Sequence, residues 1–470
     1  MIKKFFLHSF IYALGPQIPK LIVLVTLPIV TPFLSSFDFG VYGLIISYIG
    51  SVQLIKDLGL NLLFYNSFYK KTKTYTLIWR NLIGILFVWS FFYSLIIGSI
   101  TYFLINRWDS KHSILVAFLF FIPALFFENI NSIGIAFFRT LEKPLPIAIN
   151  AIISGTVSAI VSFIFIVYFK SGYIGWVLGI AIASFISCLH YSYVLFLKEK
   201  LIPLFRFKKK SLRYYLGIGL PMIPHNYSSY LLNTSDRLVM DVLKVDINEI
   251  GKYNVAYMFG SYFSMLENVI SFSSSTYYIR YFVENEYLKV RTLTFFLQVL
   301  FLNATFIVCL WLNEILFLMI KNVEYSNIST IGILIIMGYN YKPMYMASNM
   351  QLSIEGKTKK LLKISFVGGV INVILNFIFI PFFGIIAAAI STFIALMYIG
   401  FMGFYLNDFN LELKKLVNPK IWLSLIVLMT ILLLISNHLP IYYKILFMGL
   451  LIFINLMLYK NQKVNIQNLN

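Results

Sequence analysis

Read for alternation of apolar and polar positions, the chain shows one motif from end to end: apolar runs of about 17–25 residues, separated by short polar breaks. Such a run is the length that crosses a hydrocarbon core of roughly 30 Å as a helix. Barrel strands are excluded, because they would alternate polar and apolar every second residue. The pattern predicts fourteen helices, α1 to α14 in order: Phe10–Phe33, Phe39–Tyr65, Leu77–Ile105, Ser113–Phe138, Leu145–Phe169, Ile174–Leu197, Leu216–Asp236, Tyr253–Tyr278, Thr292–Ile320, Ile328–Ser353, Leu362–Phe382, Gly384–Leu406, Ile421–Ser436 and Tyr442–Leu458. Composition agrees with a polytopic membrane protein. Hydrophobic residues make up 60% of the 470, charged residues 12%, and the mean hydropathy is +0.83. Soluble domains carry about 25% charged residues.

The net charge of +20 does not indicate nucleic acid, because the basic residues sit in breaks between apolar runs. With the N-terminus on the cytoplasmic side, 27 of the 38 Lys and Arg residues fall in cytoplasmic breaks and 8 in external ones. A missed helix would invert this parity, and no inversion occurs, so both termini are expected to be cytoplasmic. The N-terminal Lys3-Lys4 and apolar run lack a small-residue cleavage site and read as a retained first helix. The longest external loop is expected from Arg237 to Lys252, and the longest internal break from Lys198 to Tyr215. Lys208-Lys209-Lys210, within that break, reads as an orientation signal on anionic lipid.

Comparison of the chain with itself reveals a repeat. Pro16-Gln17-Ile18-Pro19-Lys20 recurs as Pro221-Met222-Ile223-Pro224-His225, an offset of 205. Gly40-Val41-Tyr42 recurs as Gly251-Lys252-Tyr253, an offset of 211, and Phe163-Ile164-Phe165-Ile166 as Phe377-Ile378-Phe379-Ile380, an offset of 214. Six helices separate each pair, so the copies share one orientation. The expected architecture is all-α: two parallel six-helix lobes in a V-shaped transporter fold, residues 1–205 and 206–412, with α13–α14 appended in 413–470.

Proline-interrupted helices at matching repeat positions point to a transport site. Residues Asn226, Ser228, Ser229, Asn233 and Asp236 make α7 too polar to face lipid, so a wet cavity lined by α1 and α7, with α2 and α8 beside them, is expected. Charges within spans are expensive and suspected of function. Lys20 and Lys56, with His225, Asn226 and Asn233, are the candidate substrate-binding residues. Asp57, Glu128, Glu267 and Lys342 are the candidates for ion coupling or counter-ions. Glu128 and Lys342 occupy one repeat position with opposite charge, which favours hydrogen bonding within each lobe. Asp236-Arg237 is expected to close α7 at the outer face, as an interfacial pair or a gate.

Neither cysteine, Cys188 or Cys309, and none of the five histidines has metal-ligand spacing, and no P-loop is present. The expectation is no metal, no cofactor and no enzyme activity. A membrane-embedded polysaccharide polymerase or ligase would need a sizeable external loop with catalytic Arg or His.

In order along the chain come Asp38-Phe39-Gly40-Val41-Tyr42-Gly43, Asp57-Leu58-Gly59-Leu60, Arg139-Thr140-Leu141-Glu142-Lys143 and Asn233-Thr234-Ser235-Asp236-Arg237. In these motifs and in architecture the chain resembles the polysaccharide-export branch of the multidrug/oligosaccharidyl-lipid/polysaccharide exporter superfamily. The resemblance implies a flippase for O-antigen, capsule or exopolysaccharide repeat units carried on undecaprenyl diphosphate. It implies the bacterial plasma (inner) membrane as the location. It also implies membrane lipids, a polysaccharide polymerase and a chain-length regulator as partners. In lipid II flippases of this superfamily, basic residues of helices 1, 2 and 8 hold the diphosphate. Lys20 and Lys56 match the first two, whereas α8 departs, with Glu267 and no mid-span base. The alternative is a cation-coupled drug exporter of the same fold, which tends to place an acid in helix 1; none lies between Phe10 and Phe33 here.

Overall fold

The computed structural model describes residues 15–70, 74–320, 328–405, 419–437, 439–449 and 451, without the side chains of Pro16, Met222, His225, Asn226 and Thr358. The expected start of α1 at Phe10, the end of α14 at Leu458, Lys3, Lys4 and Lys321 lie outside the described residues. Among the described residues every regular element is helical. Eight helices are long and apolar enough to cross a membrane: α3 (Tyr75–Trp108), α4 (Ser110–Thr140), α5 (Pro144–Tyr168), α6 (Tyr173–Lys198), α9 (Tyr287–Leu310), α11 (Lys359–Phe383), α12 (Ile385–Tyr405) and α13 (Pro419–Ser436). For α14, residues 441–449 are helical.

Of the remaining spans, α1, α2, α7, α8 and α10 are interrupted or unusually polar. The two Pro-x-x-Pro segments give the same local structure. A 3₁₀ turn occupies Gly15–Gln17 before Ile18–Val30 of α1, and another occupies Leu220–Met222 inside α7. Their offset is again 205. Missing proline N–H groups break the helical ladder at both places. In α10 a 3₁₀ turn at Tyr339–Tyr341 precedes Lys342, and in α4 a π segment at Pro123–Phe127 precedes Glu128.

Two expected boundaries need correction. Helix α2 is not continuous to Tyr65: it runs over Ser36–Gln53, turns through residues 54–60 and resumes at Asn61–Lys70. Helix α7 does not end at Asp236. It starts earlier, at Lys209, continues as Ser235–Val242 after a break at Thr234, and α8 follows at Ile247–Val283. The expected long external loop is therefore only the stretch 243–246, and the internal break is 199–208.

At their outer ends α2 and α8 cross with backbone nearly on backbone. A Cβ on Gly40 would stand 2.1 Å from the Ile247 carbonyl oxygen, and one on Gly251 would stand 1.9 Å from that of Ser36. Only glycine permits this approach, which accounts for its recurrence at both repeat positions. Asp38 supports the start of α2 through a capping box with Ser35, and it also accepts the Tyr173 N–H at 2.9 Å, joining α6 to α2.

The buried apolar residues form two clusters. One gathers the outer halves of α1–α7 together with α8–α14; the other holds the inner ends of α2–α6 with Tyr215 of α7, and Leu212 and Ile218 of α7 pack against it. The first six helices thus merge with the rest at the outer end, whereas at the end carrying the basic loops they keep α7 but the inner ends of α8–α12 pack in the other cluster. The V opens toward that end. Helix α7 stays along α2 through much of its length: Ser47 Oγ donates to the Thr234 carbonyl at 2.8 Å, and Tyr227 Oη to the Ser51 carbonyl at 2.8 Å. Helix α1 packs instead on α5, with Pro19 against Gly155, and reaches α9 at its outer end through Thr31 Oγ1 and the Met319 carbonyl at 3.0 Å. Helices α13 and α14 attach to α9 and α10 through Trp422 to the Asn340 carbonyl and through Lys444 to Glu314 at 2.7 Å.

Candidate functional site

Polar side chains exposed at membrane depth must meet water, since lipid offers them no partner. Lys20, Gln53, Ser229 and Asn268 are all exposed, on α1, α2, α7 and α8 respectively. Lys20 lies thirteen residues, or about 20 Å of helix, from Phe33 at the outer end of α1. Among the described residues it has no acidic partner. These exposed polar positions fall on the four helices expected to line the cavity.

The other in-span charges do not behave as one group. Lys56 lies in the 54–60 turn of α2, with Nζ 3.6 Å from Glu128 Oε2 of α4. Lys342 of α10 lies 3.8 Å from Glu267 of α8. Asp57 shapes the turn: it accepts the Gly59 N–H at 3.0 Å and the Asn61 amide, while Leu58 and Gly59 adopt positive φ of 50° and 68°. A Cβ on Gly59 would meet the Gly219 carbonyl oxygen of α7 at 2.1 Å. Asn233 is half-buried and donates to the Ser229 carbonyl at 2.9 Å. The side chains of His225 and Asn226 lie outside the described residues.

Asp236 and Arg237 are not a surface pair. Asp236 is 0% exposed and accepts hydrogen bonds from Tyr253 Oη (2.6 Å), Asn376 (2.7 Å) and Thr392 (3.2 Å), which come from α8, α11 and α12. Arg237, 6% exposed, donates to Asn254 at 2.8 Å and lies 4.4 Å over the Tyr257 ring. Asn254 in turn donates to the Phe39 carbonyl of α2 at 3.1 Å. The interfacial position expected from hydropathy is overturned because the charges are satisfied inside the bundle.

Sequence reasoning missed Asp241. Its carboxylate, in the outer segment of α7, receives Arg107 of α3 through two bonds of 3.0 and 3.1 Å, and Tyr48 of α2 through one of 2.6 Å. Asp241 is 3% exposed, and both partners belong to the first six helices. The helical spacing of Arg237, Met240 and Asp241 was the available signal, obscured because the charges made the stretch read as a loop.

Two bundles joined at one end, built of apolar spans and polar, interrupted helices, make a multi-pass membrane protein. The chain belongs to the family described as polysaccharide biosynthesis protein, whose pattern it matches over residues 7–274, more than half its length. Several solved structures share the fold. The lipid II flippase MurJ in an inward closed conformation is similar, with TM-score 0.66 and 16% identity over 93% of this chain and 99% of that one. An inward-facing multidrug resistance MATE transporter gives 0.57 and 15% over 87% and 93%. A MOP superfamily transporter from Pyrococcus furiosus gives 0.54 and 14% over 88% and 96%. No curated protein matches the sequence.

Proposed function

We propose that the protein flips an undecaprenyl-diphosphate-linked oligosaccharide, a repeat unit of O-antigen, capsule or exopolysaccharide, across the bacterial plasma membrane by alternating access. The observation that carries this reading is Lys20: an exposed, acid-free ammonium at membrane depth beside a gap open toward the basic loops. A cation there is suited to a phosphate-bearing headgroup, while the prenyl tail stays in lipid on the α1 side. In this reading residues 1–205 and 206–412 rock against each other, 413–470 brace the second lobe, and both termini are cytoplasmic. Arg107, Asp241 and the Arg237–Asn254 link form the outer gate. Outward movement of an anion is downhill in an inside-negative potential, by about 2.3 kcal/mol per charge per 100 mV. Nucleotide hydrolysis is therefore not required, although exchange for a proton or sodium ion remains compatible with the scheme. A polymerase and a chain-length regulator are the proposed partners that receive the unit.

The test is flipping of undecaprenyl diphosphate oligosaccharide in proteoliposomes. Lys20→Ala should abolish it with normal expression and folding, and Lys20→Arg should retain part. Full activity of the alanine variant removes Lys20 from the site.

A further inference from the structure

The repeat that relates the two lobes also relates two ion pairs, with their charges exchanged. Lys56 stands sixteen residues past Gly40, and Glu267 sixteen past Gly251, so they occupy one repeat position. Glu128 and Lys342 occupy another, at the offset of 214. Lobe one therefore has its lysine on α2 and its carboxylate on α4; lobe two has its carboxylate on α8 and its lysine on α10.

Stability does not account for these pairs. At 3.6 and 3.8 Å they exceed hydrogen-bond reach, and Glu128 Oε2, though buried, has no hydrogen-bond partner. A desolvated pair of such geometry gives little net stabilisation, and apolar residues of similar volume would serve the fold as well. All four side chains retain 13–22% of their exposure, and exposed Gln53 and Asn268 lie beside them in sequence. The pairs are therefore partly open to their surroundings and loosely closed.

Resting on the flippase reading, we infer that Lys342 is the second lobe's cation for the phosphate-bearing headgroup, partnered across the gap by Lys56. Glu267 and Glu128 are internal counter-anions that hold the two lysines while the gap is empty. An arriving diphosphate displaces the carboxylates into water and takes both ammonium groups. When it leaves, the carboxylates return, and the empty carrier can close around neutral pairs instead of bare charges. No bond is made or broken; one set of anions substitutes for another.

Binding of undecaprenyl diphosphate to the purified full-length protein, with undecaprenol as the uncharged control and inorganic diphosphate as competitor, tests the inference. Lys342→Gln should weaken binding at least tenfold, with undecaprenol unaffected, and Lys342→Arg should bind as the parent does. Glu267→Gln should bind two- to fivefold more tightly, because the lysine has lost its competitor, yet net flipping should slow. Competition by inorganic diphosphate that disappears in Lys342→Gln assigns the contact to the headgroup phosphates. A structural pair moves both glutamine variants the same way, so weaker binding by Glu267→Gln overturns the inference even where Lys342→Gln fails to fold. Unchanged binding by folded Lys342→Gln also overturns it. Failure of the parent to bind the lipid diphosphate would instead sink the flippase reading itself.

Discussion

The contact of Arg107 and Tyr48 with Asp241 is the point at which the outer mouth can be weighed. Asp241 is almost wholly enclosed and receives three hydrogen bonds, two from a guanidinium, whereas the Arg107 side chain is 52% exposed. The two partners should therefore respond unequally to neutralisation. Arg107→Gln strands a carboxylate that has lost its cation, a change that costs 3–5 kcal/mol when both charges are buried. Discounted for the solvated arginine, roughly 2 kcal/mol is expected. Asp241→Asn frees an arginine that water can solvate, and should cost about 1 kcal/mol. Since opening outward must break these bonds, the open population should rise about 30-fold in the first case and about 5-fold in the second. Ser47→Cys, fully enclosed at the α2–α7 seam, reports that population through its labelling rate with a membrane-impermeant maleimide applied from outside. The two native cysteines are buried. The double variant should fall short of the summed effects, because both changes remove one interaction. Equal labelling in all variants would refute the argument that this contact holds the outer mouth closed.

Two further outcomes follow from local geometry. Gly59→Ala demands both a left-handed backbone and a Cβ 2.1 Å from the Gly219 carbonyl, so α2 and α7 must separate. It should lower thermal stability by about 1–3 kcal/mol, and an unchanged melting temperature would contradict the contact. At the external turn, Asp109 is subject to opposed influences. Burial raises its pKa, but the hydrogen bonds from His112 and Tyr173 outweigh this and hold it below the usual carboxylate range. A depressed folded pKa contributes stability above the unfolded value of about 4, and that contribution is lost as pH falls through the folded value. Asp109→Asn should therefore melt below the parent at neutral pH and converge with it as the pH drops well under 4. A gap independent of pH would exclude this linkage.

Much of the architecture was legible because it is written in local patterns. Apolar runs, proline spacing and the recurrent glycines required no knowledge of distant contacts, and the two 3₁₀ turns fall three residues for three residues on the repeat. The outer part of α7 was illegible for the opposite reason. Arg237 and Asp241 read as a loop, and Asp236 as the end of a span, because a bare hydropathy scale charges each of them its full desolvation, and their partners arise 17 to 193 residues away. The ion pairs stand between these cases. The opposite charges at 128 and 342 were visible, and so was the offset of 211 that aligns Lys56 with Glu267. What periodicity could not supply was the choice of which charge neutralises which, since Lys56 has Asp57 adjacent in sequence and Glu128 adjacent in space.

The helices that fail as simple membrane spans are themselves informative. Helices α1, α2, α7, α8 and α10 carry the breaks at 15–17, 54–60, 220–222, 234 and 339–341, together with Lys20, Lys56, Glu267 and Lys342. Irregular backbone and ionised side chains are tolerated at membrane depth only where protein or water satisfies them. Each irregularity taken singly has a packing explanation. Irregular backbone also occurs in the apolar spans, as π segments at Pro123–Phe127 of α4, Ile164–Tyr168 of α5 and Tyr193–Lys198 of α6, but the mid-span 3₁₀ breaks and the three in-span lysines fall on the five other helices. In the flippase reading a water-accessible path between the two lobes accounts for these features, and the lysine–carboxylate pairs and Lys20 would share it.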